Sequence, residues 1–385
     1  MIAANVDDYR DGARRRLPRF LFDYIDGASY TEHTARNNVR DFEKVALRQR
    51  VLRDVSEIDL STALFGAKMA MPLALAPVGL AGMFARRGEV QASRAARAAG
   101  VPFCLSTVSG CSLEEVGRGL ESPFWFQLYM MKDRGFMREL LVRASEAGCT
   151  ALLFTVDLPV PGARYRDVRS RLTGAGMAAR LQRGQQILSH PGWAWDVGVR
   201  GRPHGLGNVA AKLEPRSTIG DFWQWVGAKF DASVTWKDLD WIRQTWHRPL
   251  VIKGILDLED AQAAARLGAD GIVVSNHGGR QLDGVPSAIR ALPPIADAVG
   301  DALTVLMDGG IRSGLDIVRA LALGARGVLI GRAWAYALGA AGGRGVAGML
   351  EILRQEMQVA MALTGHRHIS ELSPAALVHP AAPFS

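Results

Sequence analysis

No apolar stretch in these 385 residues approaches the roughly 20 needed to cross a bilayer, so any membrane role is expected to be peripheral. The first sixteen residues carry Asp7, Asp8, Asp11 and four arginines where a secretory leader would have an apolar core. Cysteine is scarce: Cys104, Cys111 and Cys149 are odd in number and lack metal-ligand spacing. They predict a reducing compartment, no disulfide frame and no metal site. Negative charge is in the minority, with 38 Asp and Glu against 46 Lys and Arg and a net charge of +8. That excess favours anionic partners of some kind, from small carboxylates to phosphates and acidic lipids. Nucleic acid is set aside, because no recognition module is visible and the arginines gather around one inserted region.

What the chain does have is repetition. Short apolar runs, each closing on a small or polar residue, occur at 72–77, 103–107, 124–128, 151–157, 250–253, 272–275, 304–308 and 328–331. Helical stretches lie between most of them, with apolar residues at three- and four-residue spacing, as in Ile317, Leu321 and Leu323. The junctions resemble one another, for example Leu-Gly-Ala-Asp at 267–270 and Leu-Gly-Ala-Arg at 323–326. Each offers a glycine to end a helix and a small residue to begin a strand. Eight β/α units predict an α/β fold, a closed (β/α)8 TIM barrel, in one domain spanning 1–385. Residues 1–70 form an N-terminal helical extension. The interval from about 155 to about 253 is several times longer than the others, so about 70 residues, roughly 165–235, are inserted after strand 4. Seven of the nine tryptophans fall in or just beyond this insertion. With its arginines, that composition suits a membrane interface or a lid, or else packing of Trp236, Trp241 and Trp246 on the helix before strand 5.

Chemistry is expected at the carboxyl ends of barrel strands. Tyr129 follows strand 3, Asp157 ends strand 4 with Arg164 seven residues on, Lys253 ends strand 5, and His277 and Arg280 follow strand 6. A base three positions from a fixed cation suits proton removal from a small carboxylate. After strands 7 and 8 the chain reads Asp-Gly-Gly-Ile-Arg-Ser-Gly at 308–314 and Gly-Arg at 331–332. Glycine amides, a helix start and Arg312 or Arg332 make this the expected phosphate site. Two lesser patterns are discounted. Gly343, Gly345 and Gly348 have dinucleotide-fingerprint spacing but follow a helical run, and His366 with His368 lacks further ligands for a metal.

These positions fall within motifs that cover nearly the whole chain: Phe-Asp-Tyr-Ile-Asp-Gly at 22–27, Ala-Pro-Val-Gly-Leu at 76–80, Trp-Phe-Gln-Leu-Tyr at 125–129, Phe-Thr-Val-Asp at 154–157, Pro-Gly-Ala-Arg-Tyr-Arg-Asp at 161–167, Ile-Lys-Gly-Ile at 252–255 and Ser-Asn-His-Gly-Gly-Arg-Gln at 275–281. In that order they resemble the FMN-dependent α-hydroxy-acid dehydrogenase and oxidase family. The inserted Trp-Ala-Trp-Asp-Val-Gly at 193–198 and Gly-Arg-Pro-His-Gly-Leu-Gly-Asn at 201–208 are most similar to its quinone-linked bacterial respiratory branch. The resemblance implies oxidation of L-lactate to pyruvate on FMN, with electrons passed to a quinone. It also implies a peripheral position on the anionic cytoplasmic face of the bacterial inner membrane, and a homo-oligomer, a tetramer.

By the same resemblance His277 is the base, Asp157 pairs with its imidazolium, and Arg164 and Arg280 hold the substrate carboxylate while Tyr24 and Tyr129 orient it. Lys253 faces the flavin where negative charge collects on reduction. Pro77, Val78, Gly79, Ser106, Gln127 and Thr155 contact the ring. Ser275, Asp308, Gly309, Gly310, Arg312, Gly331 and Arg332 complete the cofactor site. Whether His277 removes the α-proton or the hydroxyl proton stays open. Mandelate, glycolate or a longer 2-hydroxy acid is the alternative substrate, with room near Val78, Leu80, Met83 and Val108 deciding. Oxygen is the alternative electron acceptor, and a non-catalytic phosphate-binding barrel is the rival of another class.

Overall fold

A computed structural model describes residues 2–118, 124–174, 176–202, 205–209, 229–379 and 382–384. Three helices open the chain: α1 (Val6–Arg16), α2 (Arg19–Asp26) and α3 (His33–Glu43). Asn5 starts α1 by accepting the Asp8 amide, and Asp7 and Asp8 in the first turn with Arg14 to Arg16 in the last complement the helix dipole. A hairpin follows, β1 (Thr62–Leu64) with β2 (Ala67–Met69).

The eight expected runs become β3 (Leu73–Leu75), β4 (Cys104–Ser106), β5 (Phe124–Tyr129), β6 (Cys149–Thr155), β7 (Leu250–Ile255), β8 (Gly271–Val274), β9 (Thr304–Asp308) and β10 (Gly327–Ile330). All pair in parallel in the order β3-β10-β9-β8-β7-β6-β5-β4. A parallel bridge between Leu75 and Phe103, with the Leu75 amide 2.9 Å from the Pro102 carbonyl, closes the ring between β3 and β4. This is the (β/α)8 barrel, with the N-terminal helices before it and the long insertion between β6 and β7.

Alternation along each strand decides what faces the axis. Ala74, Cys104, Trp125, Ala151, Leu153, Val251, Val273, Leu306 and Leu329 form the inner core, and the hairpin plugs its amino-terminal end with Leu64, Met69 and Phe65. The Phe65 ring meets Trp125 edge-on at 5.8 Å. The residues between them, such as Leu152, Phe154, Ile252 and Ile272, join the outer core beneath the helices. Continuing the inward parity by two residues reaches Ser106, Gln127, Thr155, Lys253, Ser275 and Asp308 at the carboxyl rim. The same rule that fills the barrel with apolar groups thus delivers its polar set to one end.

The insertion splits into packing and exposed parts. Trp193 is buried, with its indole N–H donating to the Met83 carbonyl at 2.8 Å, and Trp246 is buried beside Pro249. Trp195 is 61% exposed. Trp223 and Trp225 lie outside the described residues, as do Pro203 and His204 of the inserted motif. Gly343, Gly345 and Gly348 lie on helix just after a kink at Ala341–Gly342 within Arg332–Thr364, and so follow a helix and not a strand, which is no nucleotide turn. Cys104, Cys111 and Cys149 are free and buried. Among the described residues no helix is long and apolar enough to cross a membrane, and no group of three or more side chains is arranged to hold a metal.

Candidate active site

β8 ends one residue before Ser275, and the next turn is held by amides. Asn276 accepts from the Gly279 amide at 3.1 Å and exchanges a reciprocal pair of 2.8 Å hydrogen bonds with Asn38 of α3. His277, Gly278 and Gly279 all adopt left-handed backbone, at φ 56°, 65° and 73°. A histidine pays a steric penalty there that glycine does not, and such strain persists where the surroundings over-determine it. A side chain at Gly279 would come within 2.7 Å of the Ala35 amide nitrogen, so α3 can approach only because this residue is glycine.

The outcome is an imidazole fixed against a carboxylate. His277 Nδ1 lies 2.9 Å from Asp157 Oδ1. Burial lowers the His277 pKa below its ordinary value, against the opposing pull of Asp157, and Lys253 and Arg164 lower it further. Burial by itself would raise Asp157, but His277 and Lys253 outweigh it and keep the acid ionised. The resting pair is therefore neutral imidazole and carboxylate. Because an ionised carboxylate only accepts, Nδ1 carries the proton and Nε2 keeps a lone pair. Asp157 Oδ2 is buried without a hydrogen-bond partner among the described residues.

Asp157 has its place because Gly254 leaves it room. A β-carbon at residue 254 would fall 2.6 Å from both Cβ and Cγ of Asp157, and Gly254 has φ +106°. Gly254→Ala is expected to push Asp157 off His277, destabilising the fold by about 1–2 kcal/mol or more and lowering kcat more than it raises KM. Steady-state kinetics and thermal melting check this; unchanged kcat in a destabilised protein would show that Asp157 tolerates displacement.

His277 shares a cleft of about 1130 Å³, counted to its open mouth, with Tyr24, Tyr129, Arg164, Lys253 and Arg280. Burial pushes Arg164 down to about 10, and repulsion from Arg280 adds to this. Two guanidiniums held this close favour an incoming carboxylate, which relieves their repulsion. Arg280 is pinned from behind: Nη1 donates to the carbonyls of Tyr24 at 2.6 Å and Gly27 at 3.0 Å, and its guanidinium stacks 4.8 Å over the Tyr24 ring. Burial, then Asp157, raises the Tyr129 pKa, so its hydroxyl stays protonated and able to donate.

The remaining expected residues divide. Pro77, Val78, Gly79, Thr155, Asp308, Gly309, Gly310, Arg312, Gly331 and Arg332 line the same cleft. Ser106 and Gln127 stand behind it: the Ser106 hydroxyl donates to Gln127 Oε1 at 3.2 Å, Gln127 Nε2 donates to the Thr155 hydroxyl at 3.1 Å, and Ser275 accepts from Lys253 Nζ at 2.9 Å. Lys253 also pairs with Asp308 at 2.8 Å. Burial opposes its charge, but Asp308 and Asp157 raise its pKa and keep it cationic.

The phosphate-ready segment differs from expectation in one respect. The helix after β9, Gly314–Ala322, has its first amides taken by the protein's own acids. Arg312 N–H and Ser313 N–H donate to Asp316, and Gly314 N–H donates to Glu356. The helix that opens on the cleft is Arg332–Thr364, through Gly331 and Arg332. Arg332 donates to the carbonyls of Ile25, Gly27 and Gly278 at 2.8–3.2 Å, stitching α2 to the His277 turn. Arg312 is less committed, with one side-chain bond to the Ile311 carbonyl and a stacking distance of 5.9 Å to Tyr336.

Several contributors escaped sequence reasoning. Phe230 lies on the cleft wall 4.9 Å from the Tyr129 ring, and Leu158 lines it too. Of the four positions expected to set substrate room, Val78 and Val108 are on the wall, whereas Leu80 and Met83 are not. Asp26 is a buried hub. It accepts from Arg10 at 2.6 Å, Arg166 at 2.7 Å and the Tyr336 hydroxyl at 2.8 Å. Burial disfavours its charge, yet Arg10 and Arg166 hold its pKa well below the carboxylate range. It thereby ties α2, which carries Tyr24, to the segment carrying Arg164. The adjacent Asp-Tyr-Ile-Asp motif was the available signal, but no spacing rule names the partners of an acid across some 140 residues.

A buried neutral imidazole with its own carboxylate, two guanidiniums, and a lysine at the mouth of a barrel with a phosphate-ready rim define an α/β-barrel oxidoreductase of a small carboxylate substrate. The cleft, the cationic Lys253, the buried Asp308 Oδ1 without a partner among the described residues, and Gly331 on the cleft wall, where a β-carbon would meet only Ala76 Cβ at 3.8 Å, fit a bound flavin mononucleotide. Comparison with known proteins agrees. The FMN-dependent dehydrogenase family matches residues 13–379. The chain is 63% identical over 372 residues to an L-lactate dehydrogenase of Caulobacter sp. (strain K31), covering 97% of each. It is 61% identical over 377 residues to one of Xanthomonas euvesicatoria pv. vesicatoria (strain 85-10), covering 98% of this chain and 97% of the other. Among solved structures it is similar to the monotopic membrane protein (S)-mandelate dehydrogenase, with TM-score 0.90, 36% identity and coverage of 98% and 99%. A mandelate oxidase with (S)-4-hydroxymandelic acid matches with TM-score 0.83, 38% identity and coverage of 96% and 97%. This chain belongs to the FMN-dependent dehydrogenase family, and FMN is its cofactor.

Proposed function

We propose that this protein oxidises L-lactate to pyruvate and delivers the electrons to a quinone at a membrane surface. The observation that carries the chemistry is the His277–Asp157 pair facing Arg164 and Arg280 in one cleft. Arg280 and Arg164 take the substrate carboxylate, and Tyr24 and Tyr129 fix its orientation and that of the hydroxyl. His277 Nε2 accepts one proton, and Asp157 stabilises the imidazolium that results. Bound FMN supplies the two-electron acceptor. Lys253 stands ready to offset the negative charge that reduction brings, and the ring would rest against Pro77, Val78 and Gly79 with its phosphate toward Gly309, Gly310, Arg312 and Gly331.

Lactate is favoured over mandelate by the identities of the relatives. The relatives at 61–63% identity are L-lactate dehydrogenases, whereas the mandelate enzymes stand at 36–38%. Anaerobic mixing with a panel of 2-hydroxy acids, following the visible flavin band, tests the reading. L-lactate is expected to bleach the band fastest and D-lactate not at all; faster bleaching by (S)-mandelate would reassign the substrate.

Membrane contact is supported by the helix Met177–Leu188. Met177, Leu181 and Leu188 fall on one stripe, are 64–80% exposed, and have Arg180 alongside. A stripe turned toward solvent with a flanking cation suits an anionic lipid surface, and the (S)-mandelate dehydrogenase neighbour is itself a monotopic membrane protein. Trp193, buried against Phe20, makes wholesale deletion a poor test. Serine at Leu181, Leu188 and Trp195 together is expected to release the protein from anionic vesicles in flotation while dye-linked activity remains. Unchanged flotation would reject the anchor.

A further inference from the structure

The pair His366 and His368 was discounted as a metal site, and the fold assigns the two histidines different places. His368 bridges to Asp59 at the surface, whereas His366 lines a second cavity of about 950 Å³, counted to its open mouth, at the far end of the helix that begins at Arg332. Four arginines share that cavity: Arg48, Arg50, Arg53 and Arg367.

The Arg48 amide donates to the Ala376 carbonyl at 2.8 Å and the Arg50 amide to the Leu363 carbonyl at 3.0 Å, so two residues of the same parity are anchored in an extended stretch. Leu52 then turns the chain through left-handed backbone at φ 54°, which brings Arg53 back toward the helix end. Gly365, at φ +73°, leaves room for both stems. A β-carbon there would lie 3.0 Å from Arg50 Cβ and 3.0 Å from Arg53 Cγ.

Charge is unbalanced inside. Asp54 and Glu371 are the acids on the wall. Asp54 is engaged by Ser56 and Arg367, and Glu371 accepts the Arg367 amide at 2.8 Å. The helix C-terminus contributes about half a negative charge, and two of its carbonyls are already capped by the amides of Arg50 and His366. Arg367 also lies 3.8 Å from Glu57, so four guanidiniums face three carboxylates and that half charge, and the remaining excess of about half a positive charge rests on the exposed Arg48, Arg50 and Arg53. Among the described residues, the side chains of Arg48, Arg50 and Arg53 make no hydrogen bond or ion pair. Burial lowers the His366 pKa; Glu371 opposes this, and Arg53 and Arg50 add to the lowering.

We propose that this cavity binds a small polyvalent oxyanion, a phosphate or a dicarboxylate, with Arg50 and Arg53 as its principal donors and Arg48 closing the rim. Guanidinium forks match the planar or tetrahedral oxygens of such ions better than they match chloride. The site is separate from the flavin cleft and shares none of its residues.

Calorimetric titration of the FMN-loaded protein with inorganic phosphate, and separately with succinate, at ionic strength fixed by sodium chloride, tests this. Loading with FMN fills the cofactor's own phosphate site. One saturable event per chain is expected, and the tighter of the two ligands identifies the class. In the Arg50→Gln, Arg53→Gln double variant the affinity should fall by about tenfold for each arginine removed, while dye-linked turnover stays at the wild-type rate. Heats no larger than those of added chloride, or binding that survives intact in the double variant, would overturn the proposal.

Discussion

Replacing His277 by glutamine is expected to leave a folded, yellow protein whose flavin is no longer bleached by L-lactate on the time scale of turnover. Glutamine preserves polarity and approximate size, and meets the same left-handed backbone as the histidine. What it removes is the lone pair on Nε2. A positioned base contributes about 10²–10⁴-fold, and because the imidazole is here also the partner of Asp157, the upper end, about 10⁴-fold, is expected. Stopped-flow absorbance gives the reductive rate directly. Reduction within tenfold of wild type, with FMN fully bound, would remove His277 from the role of base.

Asp157→Asn is the second large effect, and it acts through the first. Asparagine is nearly isosteric, so the cleft should keep its shape, but the amide can donate where the carboxylate could only accept. His277 then loses both the anion that stabilises its protonated form and the constraint that keeps the proton on Nδ1. A loss in kcat of about 10³-fold or more is expected, by the logic of acid–imidazole pairs in general. The pH dependence carries the sign. His277 must be neutral to act, so kcat/KM falls as pH drops through its pKa, which burial holds below its ordinary value. Asp157 is the main group opposing that depression. Removing its charge lowers the His277 pKa again, so the acid limb of the profile moves to lower pH while the plateau drops. A lower plateau with an unmoved limb would mean that Asp157 positions the ring without charging it.

Particular residues show where sequence reading succeeds. All eight strands were legible because each is a short apolar run ended by a small or polar residue, and a run buried on both faces needs no partner to be recognised. His277, Arg280, Lys253 and Asp157 were legible for a related reason. Strand parity fixes the inward face, and the position after the strand fixes the mouth. The phosphate rim was legible as to segment but not as to detail. Sequence put the Gly314 helix start and the Arg332 helix start on an equal footing, and only the fold shows that Asp316 and Glu356 have already taken the amides of the former.

Phe230 and Asp26 mark the limit. Phe230 lies near the end of a long insertion, and an insertion has no period from which the point of return to the barrel mouth can be counted. Asp26 looks like any acid near the end of a short helix; its meaning comes from Arg10, Arg166 and Tyr336, which arrive from three separate parts of the chain. The same holds for the second cavity. Nothing in the spacing of Arg48, Arg50 and Arg53 says that Gly365 brings a helix end against them.

By itself, then, the order of residues determined the barrel, its inward polar set and the place of His277 at the mouth, because alternation and strand termini are local properties carried within a dozen residues. The tertiary structure alone decided the protonation state of His277, which helix start faces the cleft and which side walls bound it. Those depend on burial and on charges brought together from distant segments, and electrostatic energy follows distance in space, not separation along the chain.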